Sequence, residues 1–130
     1  MPSETLRYKP WWAALGAGSV LAIVYLSLTP NPLPGHDLGG ANINHVFAYG
    51  WTALWLVQLR EKRGVGIAIP LGLCALGVVL EYAQALTGYR HFSYADMASN
   101  AAGVALGVIA GQPLRGRLLP ALERLVRRPT

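Results

Sequence analysis

Four long apolar runs dominate this chain, and they limit its fold more than any other feature. They predict helices at about 11–28, 44–59, 65–86 and 96–111, followed by a basic tail at 112–130. At 1.5 Å per residue the third helix is roughly 33 Å long, enough to cross a hydrocarbon core of about 30 Å. Four such runs in 130 residues leave little polar sequence to cover them in water. We therefore predict an all-α fold: one domain, 1–130, built as a four-helix transmembrane bundle with a short amphipathic C-terminal helix.

The composition favours a membrane environment and excludes several other classes of protein. Hydrophobic residues make up 53% of the chain and charged residues only 13%, whereas a soluble domain has roughly 25% charged residues. The single cysteine, Cys74, excludes an intramolecular disulfide and a thiolate metal cluster. A net charge of +5 would fit nucleic acid. The basic residues are segregated in a way that a bilayer explains better, so no nucleic-acid partner is expected.

The positions of the basic residues predict an orientation. Ten of the eleven lie in the N-terminal segment, in the loop between the second and third helices, and in the tail: Arg7, Lys9, Arg60, Lys62, Arg63, Arg115, Arg117, Arg124, Arg127 and Arg128. Because cytoplasmic loops carry the excess of Lys and Arg, both termini are predicted to be cytoplasmic, in a multi-pass protein of a bacterial-type inner (cytoplasmic) membrane. A cleaved signal peptide is the alternative for the first run, but no A-x-A pattern precedes the prolines that follow it. The tail is predicted to lie on the inner leaflet, with a frayed basic segment as the alternative.

Three of the predicted helices carry a polar stripe in their outer halves. Residues four, seven or eleven positions apart lie on one face of a helix. The stripes hold His45, Tyr49 and Thr52; Gly77, Glu81, Gln84 and Gly88; and Asp96, Asn100, Gly103 and Gly107. Polar groups at one membrane depth must turn towards each other, because lipid does not solvate them. The pattern predicts one outward-facing pocket, whose binding residues are His45, Tyr49, Glu81, Gln84, Arg90, Ser93, Asp96 and Asn100.

Each of these polar residues also has a purely structural interpretation. In the structural interpretation of Glu81, its carboxylate forms an ion pair with Arg90, since a carboxylate beside a guanidinium stays ionised and hydrogen-bonded. His45 could satisfy backbone groups at a helix start, and Tyr49 could be an aromatic residue at the membrane interface. Asn100 could form only an interhelical hydrogen bond. A single pocket explains all of them together at one depth.

The glycines of the fourth predicted helix form a second pattern. Gly103, Gly107 and Gly111 are spaced four residues apart, which makes a small-xxx-small stripe. Such a stripe lets another helix approach closely. Their predicted role is therefore helix packing, which would hold the polar residues of the outer half together.

The polar residues and glycines resemble the pattern of the VanZ-like family of small membrane proteins. That pattern runs approximately as His-x3-Tyr, then Glu-x2-Gln, then Arg-x2-Ser-x2-Asp-x3-Asn-x2-Gly-x3-Gly. Here it corresponds to His45, Tyr49, Glu81, Gln84, Arg90, Ser93, Asp96, Asn100, Gly103 and Gly107. Relatives often have an Asp-Lys pair shortly before the histidine, where this chain has Ala41 and Asn42. The resemblance implies a single VanZ-like membrane domain, linked to glycopeptide resistance of the teicoplanin type or to envelope homeostasis.

Three functions remain open from the sequence. The favoured one is binding of a lipid headgroup or cell-envelope precursor, with Arg90, His45 and Asn100 holding phosphate or amide groups. The second is a membrane enzyme whose candidate catalytic residues, Glu81 or Asp96 with His45, perform acid–base chemistry on a lipid-linked substrate. The third is a proton- or cation-coupled carrier. One or two carboxylates and a histidine can hold a divalent metal, but their spacing matches no recognised motif. No metal or cofactor is therefore predicted. The expected partners are membrane lipids and a lipid-linked envelope precursor, with homo-oligomerisation left open.

Overall fold

The structure is a computed structural model that describes residues 5–30, 37–38, 41–61 and 66–127. These residues form five helices: α1 (Lys9–Leu28), α2 (Ile43–Gln58), α3 (Ala68–Leu86), α4 (Tyr94–Gly111) and α5 (Leu118–Val126). A 3-10 turn, Gln112–Leu114, follows α4, and two short strands, β1 (Asp37–Leu38) and β2 (Ala41–Asn42), pair antiparallel before α2. The all-α prediction is confirmed. Three of the predicted basic residues, Lys62, Arg63 and Arg128, lie outside the described residues.

Local chemistry sets the helix boundaries. Pro10 lies in the first turn of α1, where a missing N–H costs nothing, so this helix begins two residues before its predicted start. The side chain of Asn42 caps α2 and that of Ser93 caps α4. Because Ser93 is the cap, α4 already begins at Tyr94, and its first turn includes Asp96.

The closest helix contact joins α2 and α4. A side chain on Gly103 would collide with the backbone carbonyl of Val46, and one on Gly107 with the carbonyl of Gly50. At Gly111 an added Cβ would lie 3.3 Å from backbone atoms of α2. The three glycines therefore let the two backbones touch, as residues of this size do between helices in a membrane.

The bundle has an apolar core cluster beside several buried polar side chains, and much of its outer surface is apolar. The exposed fraction is 71% for Trp11 on α1, 88% for Leu86 on α3 and 71% for Ile109 on α4. Among the described residues, α1 and α3 are the two helices whose length and hydropathy suffice to cross a membrane. Only 11% and 28% of their apolar windows are buried inside the protein, so these helices present apolar side chains to their surroundings. The buried core residues are Ile23, Tyr49, Ala53, Leu73, Leu80 and Val104.

The two ends of the bundle differ in charge, because seven of the eight described Lys and Arg residues lie at the end that holds the start of α1 and only Arg90 lies at the other. At the end that holds the start of α1, Lys9 forms an ion pair with Glu61, just after α2. We call this the basic end. At the opposite end, which we call the site end, the guanidinium Nη1 of Arg90 donates hydrogen bonds of 3.2 Å to the carbonyls of Leu26 and Thr29. The α3–α4 loop is thereby fixed to the end of α1.

A buried carboxylate ties α5 to the basic end. Glu123 accepts hydrogen bonds from the backbone N–H groups of Arg7 (3.0 Å) and Tyr8 (2.7 Å), from the Trp12 indole (3.0 Å) and from Arg127 (3.0 Å). Helix α1 has no side-chain N-cap of its own, and Glu123 accepts from the two backbone N–H groups that immediately precede Lys9. Burial alone would raise the pKa of Glu123, but these hydrogen bonds and the Arg127 charge hold that pKa below its usual range. The sequence predicts the tail helix and misses this contact.

Candidate functional site

Asn42 places the start of α2 against α4. Its side-chain Oδ1 accepts from the backbone N–H groups of Asn44 (3.1 Å) and His45 (3.5 Å), which is the hydrogen bonding of an N-cap. Its own N–H donates to Ser99 Oγ at 2.9 Å, and its Nδ2 donates to Asp96 Oδ1 at 3.4 Å. In the sequence, Asn42 stands out only as a departure from a family pattern. Its position just before an apolar run is the signal that would have identified it as a cap.

Ser93 makes the corresponding connection between α3 and α4. Its Oγ accepts from the backbone N–H of Asp96 at 3.1 Å, as expected for an N-cap. Its own backbone N–H donates to Glu81 Oε1 at 2.6 Å. One residue therefore fixes a carboxylate on α3 and starts the helix that carries the next carboxylate.

Three ionisable side chains from three helices meet at the site end. His45, Glu81 and Asp96 each place one potential ligand atom within 4.8 Å of the other two. His45 Nε2 lies 3.9 Å from Asp96 Oδ2. Glu81 is 2% exposed, whereas the side chains of His45 and Asp96 are about one-fifth exposed. We call these three residues the HED cluster.

A second layer lies one helical turn deeper, at Tyr49, Asn100 and Gly77. A Cβ on Gly77 would lie 3.0 Å from Asn100 Nδ2 and 3.5 Å from Tyr49 Cε1, so this glycine makes room for both side chains. Tyr49 and Asn100 are 2% and 4% exposed. Among the described residues, no hydrogen-bond partner reaches Tyr49 Oη, Asn100 Oδ1 or His45 Nδ1, all of which are shielded from solvent. Buried polar atoms without partners are rare in native proteins and call for an explanation.

Arg90 and Gln84 complete the set of predicted binding residues. The sequence offered an ion pair between Arg90 and Glu81. In the described residues the hydrogen bonds of Arg90 instead run from Nη1 to carbonyls at the end of α1, and no ion pair with Glu81 forms. Helix α1 ends where the guanidinium reaches it, and carbonyls at a helix C-terminus favour a cation. Gln84 is buried on the Glu81 face of α3, and its backbone carbonyl accepts from Thr87.

An open cleft of about 820 Å³ reaches the HED cluster from the side of α1. One part of its lining is polar and comes from the site end, namely Asn42, Asn44, His45, Arg90, Ser93 and Asp96. The other part is mainly apolar and comes from α1 and α2, with Ile23, Leu26, Phe47 and Trp51 beside the hydroxyl groups of Ser19, Ser27 and Thr52. The cleft therefore offers charged groups at one end and a mainly apolar surface along the rest of its length.

Fold and site together define an all-α bundle in which three helices bring a histidine and two carboxylates together at one end. Comparison with protein-family models, with curated proteins and with solved structures finds no match to this chain.

Proposed function

We propose that this chain is a multi-pass membrane protein in which all four long helices cross the bilayer. The apolar outer surfaces of α1, α3 and α4 support this, since soluble monomers rarely expose apolar patches of more than a few hundred Å². Helix α2 has 16 residues and packs closely along α4. Its short length and low hydropathy suit a helix that is covered largely by protein rather than by lipid. Helix α4 likewise has a low hydropathy, because it contains the polar residues Asp96, Ser99 and Asn100. A membrane helix can hold them because they face the interior of the bundle.

The orientation we propose puts the basic end at the cytoplasm. Seven of the ten basic residues used in the sequence argument lie in described segments on that side of the helices, whereas Arg90 lies at the site end. The Lys9–Glu61 pair and the contacts of Glu123 bring the N-terminal segment, the α2–α3 loop and the tail to one end. The positive-inside rule then gives cytoplasmic termini in a bacterial-type inner membrane and a site end on the outer face.

At the site end, the function we propose is binding of a lipid through its phosphate-bearing headgroup. The observation that carries this proposal is the two-part lining of the cleft. Arg90 lines its polar end, where a guanidinium can bind phosphate oxygens. Phe47 and Leu26 line its apolar part, which matches the first carbons of an acyl or polyprenyl chain. A soluble polar ligand would have no use for the apolar part, and a pure hydrocarbon would leave the polar end unpaired.

The resemblance to the VanZ-like family concerns the same residues and adds a biological expectation. A headgroup site on the outer face would suit a lipid-linked envelope precursor as well as a phospholipid. A link to glycopeptide susceptibility or envelope homeostasis would follow from binding such a precursor. This expectation is tested by comparing teicoplanin susceptibility of cells that express the wild type or Asp96→Asn, with equal amounts of protein in the membrane.

Lipid binding is tested by native mass spectrometry of the untagged full chain released from mild detergent. We expect one phosphate-containing lipid per wild-type chain and at least several-fold lower occupancy in Arg90→Gln and in Phe47→Ala. Two matched controls are His91→Gln, an exposed neighbour of Arg90, and Leu86→Ala, an exposed apolar residue on α3; neither lines the cleft. Lipid retained equally by all variants, or lost equally in the controls, would contradict binding in the cleft.

A further inference from the structure

We infer that the HED cluster is a binding site for one divalent metal ion of the zinc class. The inference concerns His45, Glu81 and Asp96 alone and does not depend on lipid binding. Each residue comes from a different helix, so the metal would join α2, α3 and α4 at the site end. No short sequence motif predicts this site, because His45 and Glu81 are 36 residues apart along the chain and Glu81 and Asp96 are 15 residues apart.

The distances are close to those of a metal site before the ion is bound. Two ligands of a tetrahedral zinc ion, with bonds of about 2.0–2.2 Å, are about 3.3–3.6 Å apart. His45 Nε2 and Asp96 Oδ2 are 3.9 Å apart, and no pair in the cluster exceeds 4.8 Å. Closing the widest pair requires about 1 Å of movement, which rotation of a glutamate side chain can supply without moving a helix.

The carboxylates are already held in the way that metal ligands usually are. Asp96 uses Oδ1 to accept from Asn42, which leaves Oδ2 on the side of His45. Glu81 uses Oε1 to accept from the backbone of Ser93, which leaves Oε2 for another partner. Hydrogen bonds from a second shell commonly fix the ligating carboxylates of metal sites in this manner. One oxygen of each carboxylate is thus oriented and the other remains available.

Two independent observations indicate that this place holds a partner. Glu81 is 2% exposed and lies beside a second carboxylate, and two ionised carboxylates repel each other in a low-dielectric surrounding, so a cation bound between them would be stabilised. In addition, Tyr49 Oη and Asn100 Oδ1 are buried and lack partners among the described residues. Side chains of a helix lean towards its N-terminus. Since α2 and α4 both begin at the site end, Tyr49 and Asn100 lean from the deeper layer towards the cluster.

The ligand set selects the class of metal. One imidazole nitrogen with two carboxylate oxygens suits Zn²⁺ and neighbouring first-row divalent ions. Mg²⁺ prefers oxygen ligands and keeps several waters, so it should compete poorly. Three protein ligands leave a fourth position open, and His45 and Asp96 both line the cleft. If the proposed lipid function holds, this position would face the phosphate group of the bound lipid.

The test uses the untagged full chain in detergent, stripped with chelator, dialysed against Zn²⁺ and measured by elemental mass spectrometry. We expect one zinc ion per wild-type chain, not displaced by a large excess of Mg²⁺. His45→Gln, Glu81→Gln and Asp96→Asn keep the side-chain volume and should each weaken the zinc affinity about 100-fold or more, because even second-shell changes cost 10- to 100-fold. His91→Gln, a histidine substitution at an exposed loop position, should bind zinc like the wild type.

A second measurement protects the test against variants that fail to fold. X-ray absorption of zinc-loaded wild type should show a shell of nitrogen and oxygen with a single imidazole and no sulfur. Absence of stoichiometric zinc in the wild type, a sulfur ligand, two or more imidazoles, or equal binding by all three cluster variants would overturn the metal site. Zinc is measured without added lipid, so the two results are independent. An absence of zinc binding would not decide whether the cleft binds lipid, and an absence of lipid binding would leave the zinc result unchanged.

Discussion

Substitution of Gly107 by alanine tests the contact on which the site depends. Its Cβ would collide with the carbonyl of Gly50 and lie 2.9 Å from Ala53 Cβ. Neither neighbour can rotate away, because one is backbone and the other is a single methyl group. An overpacked contact of this kind costs about 1–3 kcal/mol, while alanine in a helix gains about 1 kcal/mol over glycine. With the overpacking cost near its upper limit, we expect a net loss of about 2 kcal/mol, which is roughly 30-fold in the unfolding equilibrium.

The measurement is reversible unfolding of the purified chain in mixed micelles, followed by far-ultraviolet circular dichroism. Gly18 on α1 and Gly72 on α3 provide matched controls, because nothing lies within 4 Å of an added Cβ at either position. Their alanine variants should be unchanged or more stable by about 0.5–1 kcal/mol. If Gly107→Ala proves as stable as these two variants, then α2 and α4 do not touch as described.

Three further predictions follow from other contacts. Glu123→Gln should lower stability at neutral pH. Because hydrogen bonds and the Arg127 charge hold the folded pKa of Glu123 below its ordinary value, the stability advantage of the wild type should be complete above the ordinary glutamate range and disappear as the pH falls through that lowered pKa. An advantage independent of pH would contradict this origin. Glu61→Gln should change the unfolding free energy by less than about 1 kcal/mol, because the ion pair of Glu61 with Lys9 is solvent-exposed. A larger loss of unfolding free energy would mean that the pair is shielded from solvent. Asn42→Ala should lower the free energy of unfolding by about 1 kcal/mol, because it removes the α2 cap. The same unfolding assay measures this change, and an unchanged midpoint would show that water replaces the cap.

Much of the helical fold could be predicted because apolar runs and helix caps are local signals. The predicted second helix, 44–59, and the observed α2, Ile43–Gln58, differ by one residue at each end. The predicted start of the third helix at 65 lies outside the described residues, and α3 begins at Ala68. The number of membrane crossings is harder to read from the sequence than the helices themselves. Helix α2 is covered largely by α4, so its sequence is not required to be as apolar as that of a helix in contact with lipid.

Convergence of the HED cluster could also be predicted, since it follows from helical spacing and from the alternating direction of the helices. The partner of Arg90 could not. A long side chain in a loop reaches several acceptors, and the choice of α1 carbonyls over Glu81 depends on where α1 ends in space. The burial of Glu123 was missed for the same reason. Nothing local in the tail indicates that the first turn of a helix more than a hundred residues away lacks a cap.

The contacts divide the cluster into a fixed pair and a third, separately held ligand. His45 and Asp96 are fixed relative to each other, because α2 and α4 touch along their backbones and Asn42 joins their first turns. Glu81 belongs to α3, whose position at the site depends on the hydrogen bond to Ser93 and on the packing of Gly77 against Asn100. A cation bound by all three residues would therefore tie α3 to the α2–α4 pair at the site end. The occupancy of the cluster should thus govern how firmly α3 is held in the bundle.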